Sequence, residues 1–242
     1  PLFLLARPLA LPSLPSNFLS RSLALSLSFL MPLHLYLLRH GETEASRTGG
    51  YCGTTDPELT PEGTRMAEAF AEKYKQLPWQ AVFASPMKRT VATATPFCKA
   101  IGQNMQLRNG LKEMDFGEWE GKSTEYVQEH HQQDYIQWLT EPAWNPPTGG
   151  ESGVQVASRA SLVMAEIEDK FTEGNVLVVS HKTTIRLVLC NLLGIDSGRY
   201  RDRIFLPVAS LSIIRFDLHG PQLIKHGDRS HLPEELDLRE GT

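Results

Sequence analysis

From Leu33 onward the chain alternates short apolar runs with stretches whose apolar residues return at helical spacing. Leu33, Leu35, Tyr36, Leu37 and Leu38 form the first run; Ala81 to Ser85 and Val176 to Val179 form two more. Runs this short, bounded by turn residues, predict buried strands. Thr60-Pro61-Glu62 announces a helix with an N-cap, a proline in the first turn and an early acid. Met66, Phe70, Tyr74 and Leu77 mark its apolar face, and Pro78 closes it. Ser85-Pro86 repeats the cap-plus-proline start for a second helix, lined by Val91, Thr95 and Cys98, which Pro96 is expected to kink or shorten. Glu125 to Leu139 reads as a third helix. Val154, Ala157, Ser161, Met164 and Phe171 line a fourth, ended by Gly174-Asn175, and Thr183 to Leu193 is a fifth, stopped by Gly194. Leu211 to Phe216 and Gln222 to Lys225 predict two antiparallel strands joined through His219, Gly220 and Pro221. Arg47 to Asp56 is glycine-rich loop, Leu107 to Thr148 is the least regular stretch, and the polar segment from Arg229 is expected to fray. Strands alternating with helices predict an α/β fold whose sheet is covered on both faces.

The polar residues at the strand ends carry the chemistry. Arg39-His40 follows the first strand, Arg89 falls one turn into the helix after the second, and Ser180-His181 ends the third. If these strands are parallel neighbours, two arginines and two histidines converge on one rim, where ligands of open α/β sheets bind. Such a rim suits a dianion: arginine forks match phosphate oxygens, each charge-assisted bond contributing about 1.5–3 kcal/mol. A neutral histidine is a nucleophile towards phosphorus, and neighbouring arginines oppose its protonation. The remaining need is an acid for the leaving oxygen, for which Glu113 is the first choice, ahead of Asp115 and Glu118. Taken singly, Arg39-His40 also fits an ordinary polar turn, and His181 a hydrogen-bonded core histidine.

Composition narrows the classes. The 242 residues are 41% hydrophobic and 21% charged with a formal net charge of −4, which describes one globular domain and gives no basic stripe for nucleic acid. Three cysteines (Cys52, Cys98, Cys190), with no CxxC pair, read as reduced thiols of a cytoplasmic protein. Residues 1–30 differ from the rest, being rich in Leu, Ser and Pro and free of acids. The apolar run from Leu23 to Leu38 resembles the core of a signal peptide, but no small-residue cleavage site follows, and Pro32 interrupts a run already short for a membrane span. The expectation is a non-native or unstructured leader over residues 1–30, a domain over 31–242 starting at Met31, and no membrane partner.

Four blocks in order, LYLLRHGETE, SPMKRTVATA, EMDFGEWEG and VLVVSHKTTIR, resemble the histidine phosphatase superfamily, in its phosphoglycerate mutase-like branch, from Leu33 to about Asp228. The resemblance implies a three-layer αβα sandwich with a mainly parallel sheet. It implies His40 as the phosphorylated nucleophile and Glu113 as proton donor and later base. Arg39, Arg89 and His181 would hold the phosphoryl oxygens, with no metal or other cofactor, and a homodimer would be in keeping with the family. His130-His131 has no metal-ligand spacing, and His219, His226 and His231 look like surface histidines.

Departures from the mutase pattern bear on substrate. Met114 and Phe116 stand where mutases of this superfamily place an arginine and a tyrosine, Ser46 and Gly50 replace an asparagine and an arginine, and Lys182-Thr183 replaces Gly-Asn. Fewer ligands for a second charged group favour hydrolysis of a small phosphorylated metabolite over phosphoglycerate mutation. A non-catalytic phospho-ligand-binding domain is the third reading. Arg47 or Lys182 would replace a missing cation, Glu118 and Glu120 would disfavour polyanions, and Ser46, Cys52 and Gly53 are candidate substrate contacts. Cys52 reads first as an inert small side chain, and a thiol open to an oxidation that blocks the pocket is the alternative.

Overall fold

A computed structural model describes residues 32–241; the leader and the start at Met31 lie outside the described residues. Six strands form one sheet in the order β3-β2-β4-β1-β5-β6. They are β1 (Leu33–Arg39), β2 (Trp79–Ala84), β3 (Met105–Leu107), β4 (Gly174–Ser180), β5 (Leu211–Asp217) and β6 (Gly220–Asp228). The first four are mutually parallel, and β5 runs antiparallel to both β1 and β6. The helices are α1 (Glu44–Thr48), α2 (Pro61–Tyr74), α3 (Lys88–Ile101), α4 (Thr124–His130), α5 (Gln132–Thr140), α6 (Gly153–Lys170), α7 (Lys182–Leu193), α8 (Tyr200–Arg203) and α9 (Glu234–Asp237).

Alternation along β1 sorts its side chains into two cores. Leu33, Leu35 and Leu37 face Ala160, Met164, Ile167 and Leu189 from α6 and α7. Tyr36 and Leu38 face Phe70, Ala94 and Phe97 from α2 and α3. Each fully buried side chain of this size contributes about 1.5–3 kcal/mol, so the sheet is held from both faces. No helix among the described residues is long and apolar enough to cross a membrane.

Several local expectations need correction. The α3 helix runs through Pro96 for its full 14 residues, so the proline does not shorten it. Ser85 is not its cap: Met87 occupies that position, and the Ser85 hydroxyl is engaged elsewhere. Glu125 to Leu139 is two helices broken at His131. Gly174 opens a strand rather than ending a helix. The segment from Arg229 does not fray. Leu232 and Leu236 pack with Met66, Val208 and Ala209 in a third cluster, and Arg229 donates to the carbonyls of Leu236, Asp237 and Arg239. His231 is likewise buried, between the rings of Phe70 and Tyr74.

Candidate active site

Parallel pairing of β1 with β4 sets the centre. Arg39 is in register with Ser180, so the next residues of both strands, His40 and His181, emerge side by side with ring centroids 5.3 Å apart. The His40 backbone is held on both sides: its N–H donates to the Ser180 carbonyl, and its carbonyl accepts from Ala209 N–H, both at 3.0 Å. Ala209 adopts a left-handed φ of 52° to do so, a strained conformation for a residue with a Cβ. Gly41 N–H donates to Thr93 Oγ1 at 3.0 Å, tying the following turn to α3. A Cβ on Gly41 would run into the Gly63 carbonyl, so α2 approaches the turn only because glycine is there.

His40 is buried, and its Nδ1 lies 2.8 Å from the Gly41 carbonyl. A carbonyl only accepts, so Nδ1 carries the proton and the Nε2 lone pair is left for chemistry. Burial, then the charges of Arg89 and Arg39, hold the imidazole well below the usual histidine range, so it is neutral at pH 7. His181 is fully buried and is shifted the same way by burial, Arg89 and His40. Its Nδ1 accepts from Arg89 Nε at 3.1 Å, which puts its proton on Nε2, 2.8 Å from Ser85 Oγ.

Arg89 does more than line the pocket. Its terminal nitrogens donate to the carbonyls of Thr55 (2.9 Å), Gly53 (3.1 Å) and Cys52 (3.4 Å). That loop is fixed from the other side by Glu120, which accepts from the N–H groups of Gly53, Thr54, Thr55 and Phe116. Glu120 is therefore a brace and not a charge facing substrate. Glu118 is exposed, and Asp115 caps its own turn by accepting from Gly117 N–H. Neither lines the pocket; Glu113 does. Its Oε2 accepts from Thr183 N–H at 3.0 Å, and its Oε1 from Met114 N–H at 2.8 Å and Thr184 N–H at 3.3 Å, at the start of α7. Arg159 of α6 holds the Glu113 backbone by donating to its carbonyl while paired with Glu151.

Arg39 donates to the Leu206 carbonyl at 2.7 Å, and burial pushes its guanidinium down to about 9 against the raising influence of Glu113. Ser46 and Cys52 line the pocket, whereas Gly53 serves the loop through its backbone; a Cβ there would run into the Met114 carbonyl. The Cys52 thiol donates to Thr55 O, and burial pushes its pKa up, so the thiolate needed for oxidation is suppressed. Arg47 pairs with Glu44 on the surface and is absent from the lining, but Lys182 is part of it. Sequence reasoning missed Arg186, Tyr200 and Arg201, which line the same cavity of about 240 Å³. The four-residue spacing from Lys182 to Arg186 on one helix was the available signal.

A neutral imidazole, two buried arginines and a pinned carboxylate line one cavity that suits a phosphoryl group, whereas His181, expected from the sequence to hold phosphoryl oxygens, lies off the lining with its ring nitrogens engaged by Arg89 and Ser85. The chain matches the histidine phosphatase superfamily (branch 1) over residues 35–229, and it belongs to that family. It is 30% identical over 200 residues to phosphoserine phosphatase 1 of Hydrogenobacter thermophilus, covering 83% of this chain and 94% of that protein. It is 28% identical over 165 residues to the adenosylcobalamin/alpha-ribazole phosphatase of Escherichia coli, covering 68% and 81%. The solved phosphoserine phosphatase of Entamoeba histolytica, in complex with 3-phosphoglyceric acid, matches with a TM-score of 0.74 at 28% identity, over 83% of this chain and all of that one. The protein is a histidine-type phosphatase with the three-layer fold of that family.

Proposed function

We propose that the protein is a metal-independent phosphomonoester hydrolase that works through phosphorylated His40 on a small metabolite. The observation that carries this reading is the Nδ1–H bond of His40 to the Gly41 carbonyl, which aims a neutral Nε2 at the cavity. In the first step the Nε2 lone pair forms the bond to phosphorus while the ester oxygen leaves and takes a proton from Glu113. In the second, Glu113 removes a proton from water, whose oxygen attacks phosphorus. The N–P bond breaks, the electron pair returns to Nε2, and inorganic phosphate leaves. The charges of Arg39 and Arg89 stabilise the equatorial oxygens in both steps, and His181 positions Arg89 by accepting from its Nε.

Hydrolysis is favoured over mutase action by the phosphatases among the relatives. Met114 is fully buried, and Phe116 supplies only an apolar wall. The test is phosphate release from a panel of phosphomonoesters in EDTA, with His40→Ala alongside and rapid quenching of a ³²P-labelled ester. The expected result is release by wild type alone, with an alkali-stable, acid-labile protein label that His40→Ala lacks. Interconversion of 2- and 3-phosphoglycerate without release would make the protein a mutase, and binding without turnover a regulatory domain.

A further inference from the structure

The cavity holds more positive charge than one phosphoryl group uses. Arg39, Arg89, Lys182, Arg186 and Arg201 line it against one lining carboxylate, Glu113, with Asp56 3.5 Å from Arg89, in a chain whose overall formal charge is −4. A phosphomonoester dianion balances two of those charges, and both Glu113 oxygens already accept from backbone N–H groups of α7. Lys182 and Arg186 lie four residues apart on α7, so they share one face, and like charges at that spacing destabilise a helix. Among the described residues none of Lys182, Arg186 and Arg201 pairs with a carboxylate. Arg186 Nε and the Tyr200 hydroxyl are buried polar atoms with no hydrogen-bond partner. Arg201 is positioned by packing, its guanidinium carbon 3.6 Å from the centre of the Trp138 ring. The three cations are half-buried, and apart from the Trp138 ring beneath Arg201 and the Glu113 charge near Lys182 and Arg186, no ion pair among the described residues offsets them.

We propose that Lys182, Arg186, Arg201 and Tyr200 form a second anion subsite, so that the preferred phosphomonoester carries another acidic group besides the phosphoryl group that His40 attacks. This rests on the hydrolase reading above and names its substrate class. The acidic group is a carboxylate or a second phosphoryl group; both present the oxygens that a guanidinium fork and a phenol bind. A cavity of about 240 Å³ lies below the usual range for drug-sized ligands, which suits an acid of a few carbon atoms. The subsite residues belong to α7 and α8, and not to the loop of Met114 and Phe116 where mutases place an arginine and a tyrosine. Burial, with Arg39 and Arg186 close by, pushes the Lys182 ammonium down to about 7, and a bound anion would restore its charge.

The test compares kcat/KM in EDTA for two pairs of esters: 3-phosphoglycerate against glycerol 1-phosphate, and fructose 1,6-bisphosphate against fructose 6-phosphate. The expected result is a preference of about tenfold or more for the acidic member of at least one pair, and the pair that discriminates identifies the acid. Arg186→Met should shrink that preference at least fivefold, mainly through KM, and Arg186→Lys should restore part of it. Lys182→Met gives the same readout should the Arg186 variants fail to fold, as judged by thermal unfolding. Wild-type rates within threefold for both pairs, or a preference unmoved in folded Arg186→Met and Lys182→Met, would overturn the subsite. Calorimetric titration of both pairs into His40→Ala separates the two readings. If no ester turns over, the hydrolase reading fails, while tighter binding of an acidic member still supports the subsite and equal affinities overturn it.

Discussion

Replacing Arg89 by lysine keeps the charge and removes the fork. Arg89 is 1% exposed and makes four hydrogen bonds, to His181 Nδ1 and to the carbonyls of Thr55, Gly53 and Cys52. A lysine ammonium on the same helix reaches one of these acceptors, so three bonds are lost and buried or half-buried acceptors are left unpaired. At about 1–1.5 kcal/mol each the loss is about 3–5 kcal/mol. For a domain of this size that lowers Tm by at least about 6 °C. The catalytic loss comes by a different route. Without the Nε donor, the His181 ring loses the bond that sets its tautomer, and the loop 52–56 loses its anchor. A drop in kcat of about a hundredfold or more is expected, on the scale of removing one preorganised donor from an oxyanion site. Differential scanning fluorimetry and steady-state kinetics on one phosphomonoester read both effects. A variant that melts with wild type, or that keeps kcat within tenfold, would refute the view of Arg89 as organiser of loop and histidine together.

Three further outcomes follow from the geometry. Glu113→Gln keeps an acceptor for the α7 N–H groups but has no proton to give, so alkyl phosphates should slow by about 10²–10⁴-fold. p-Nitrophenyl phosphate, whose leaving group needs no proton, should slow much less in single-turnover assays, and equal losses would contradict the assignment. His231 is buried with both ring nitrogens unpartnered, and burial pushes it down to about 4. Its folded pKa lies below the unfolded value near 6.5, so the unfolded chain binds the extra proton and stability falls as pH drops from about 6.5 towards 4. His231→Phe should raise the urea midpoint and flatten that dependence; an unchanged slope between pH 7 and 5 would count against it. Because the Cys52 thiol is held protonated, millimolar peroxide should leave phosphatase activity intact, and loss prevented by Cys52→Ser would show otherwise.

The parts of the site that are legible in sequence are those where local pattern and topology coincide. A short apolar strand that ends in Arg39-His40, and another that ends in Ser180-His181, place both histidines once the strands are taken as parallel neighbours. Thr60-Pro61 marks its helix because capping is a local interaction, and the Thr60 hydroxyl accepts from Gly63 N–H as that pattern requires. Residues whose partners are distant in sequence escaped. Ser85 looks like a cap but answers to His181, 96 positions on. Glu120 looks like a charge beside substrate but spends its oxygens on a loop 65 to 67 residues earlier. The polar composition after Arg229 suggests fraying, because the apolar residues that dock it, Leu232 and Leu236, are too sparse to show a period. Arg186 and Arg201 join one wall only through the packing of α7 against α8.

Glu42, two residues after His40, is almost fully buried and receives a two-pronged grip from Arg239, with Oε1 and Oε2 accepting at 2.8 and 3.0 Å. Thr60 adds a third bond at 2.8 Å. The turn that carries His40 is thus closed by a residue 197 positions later. During synthesis the early strands and helices leave the ribosome well before that arginine does. A nascent chain stalled short of Arg239 would hold His40, Arg89 and His181 and still lack the finished turn. A chain cut before Arg239 should therefore keep the site residues and turn over more slowly, because the turn after His40 lacks this tie.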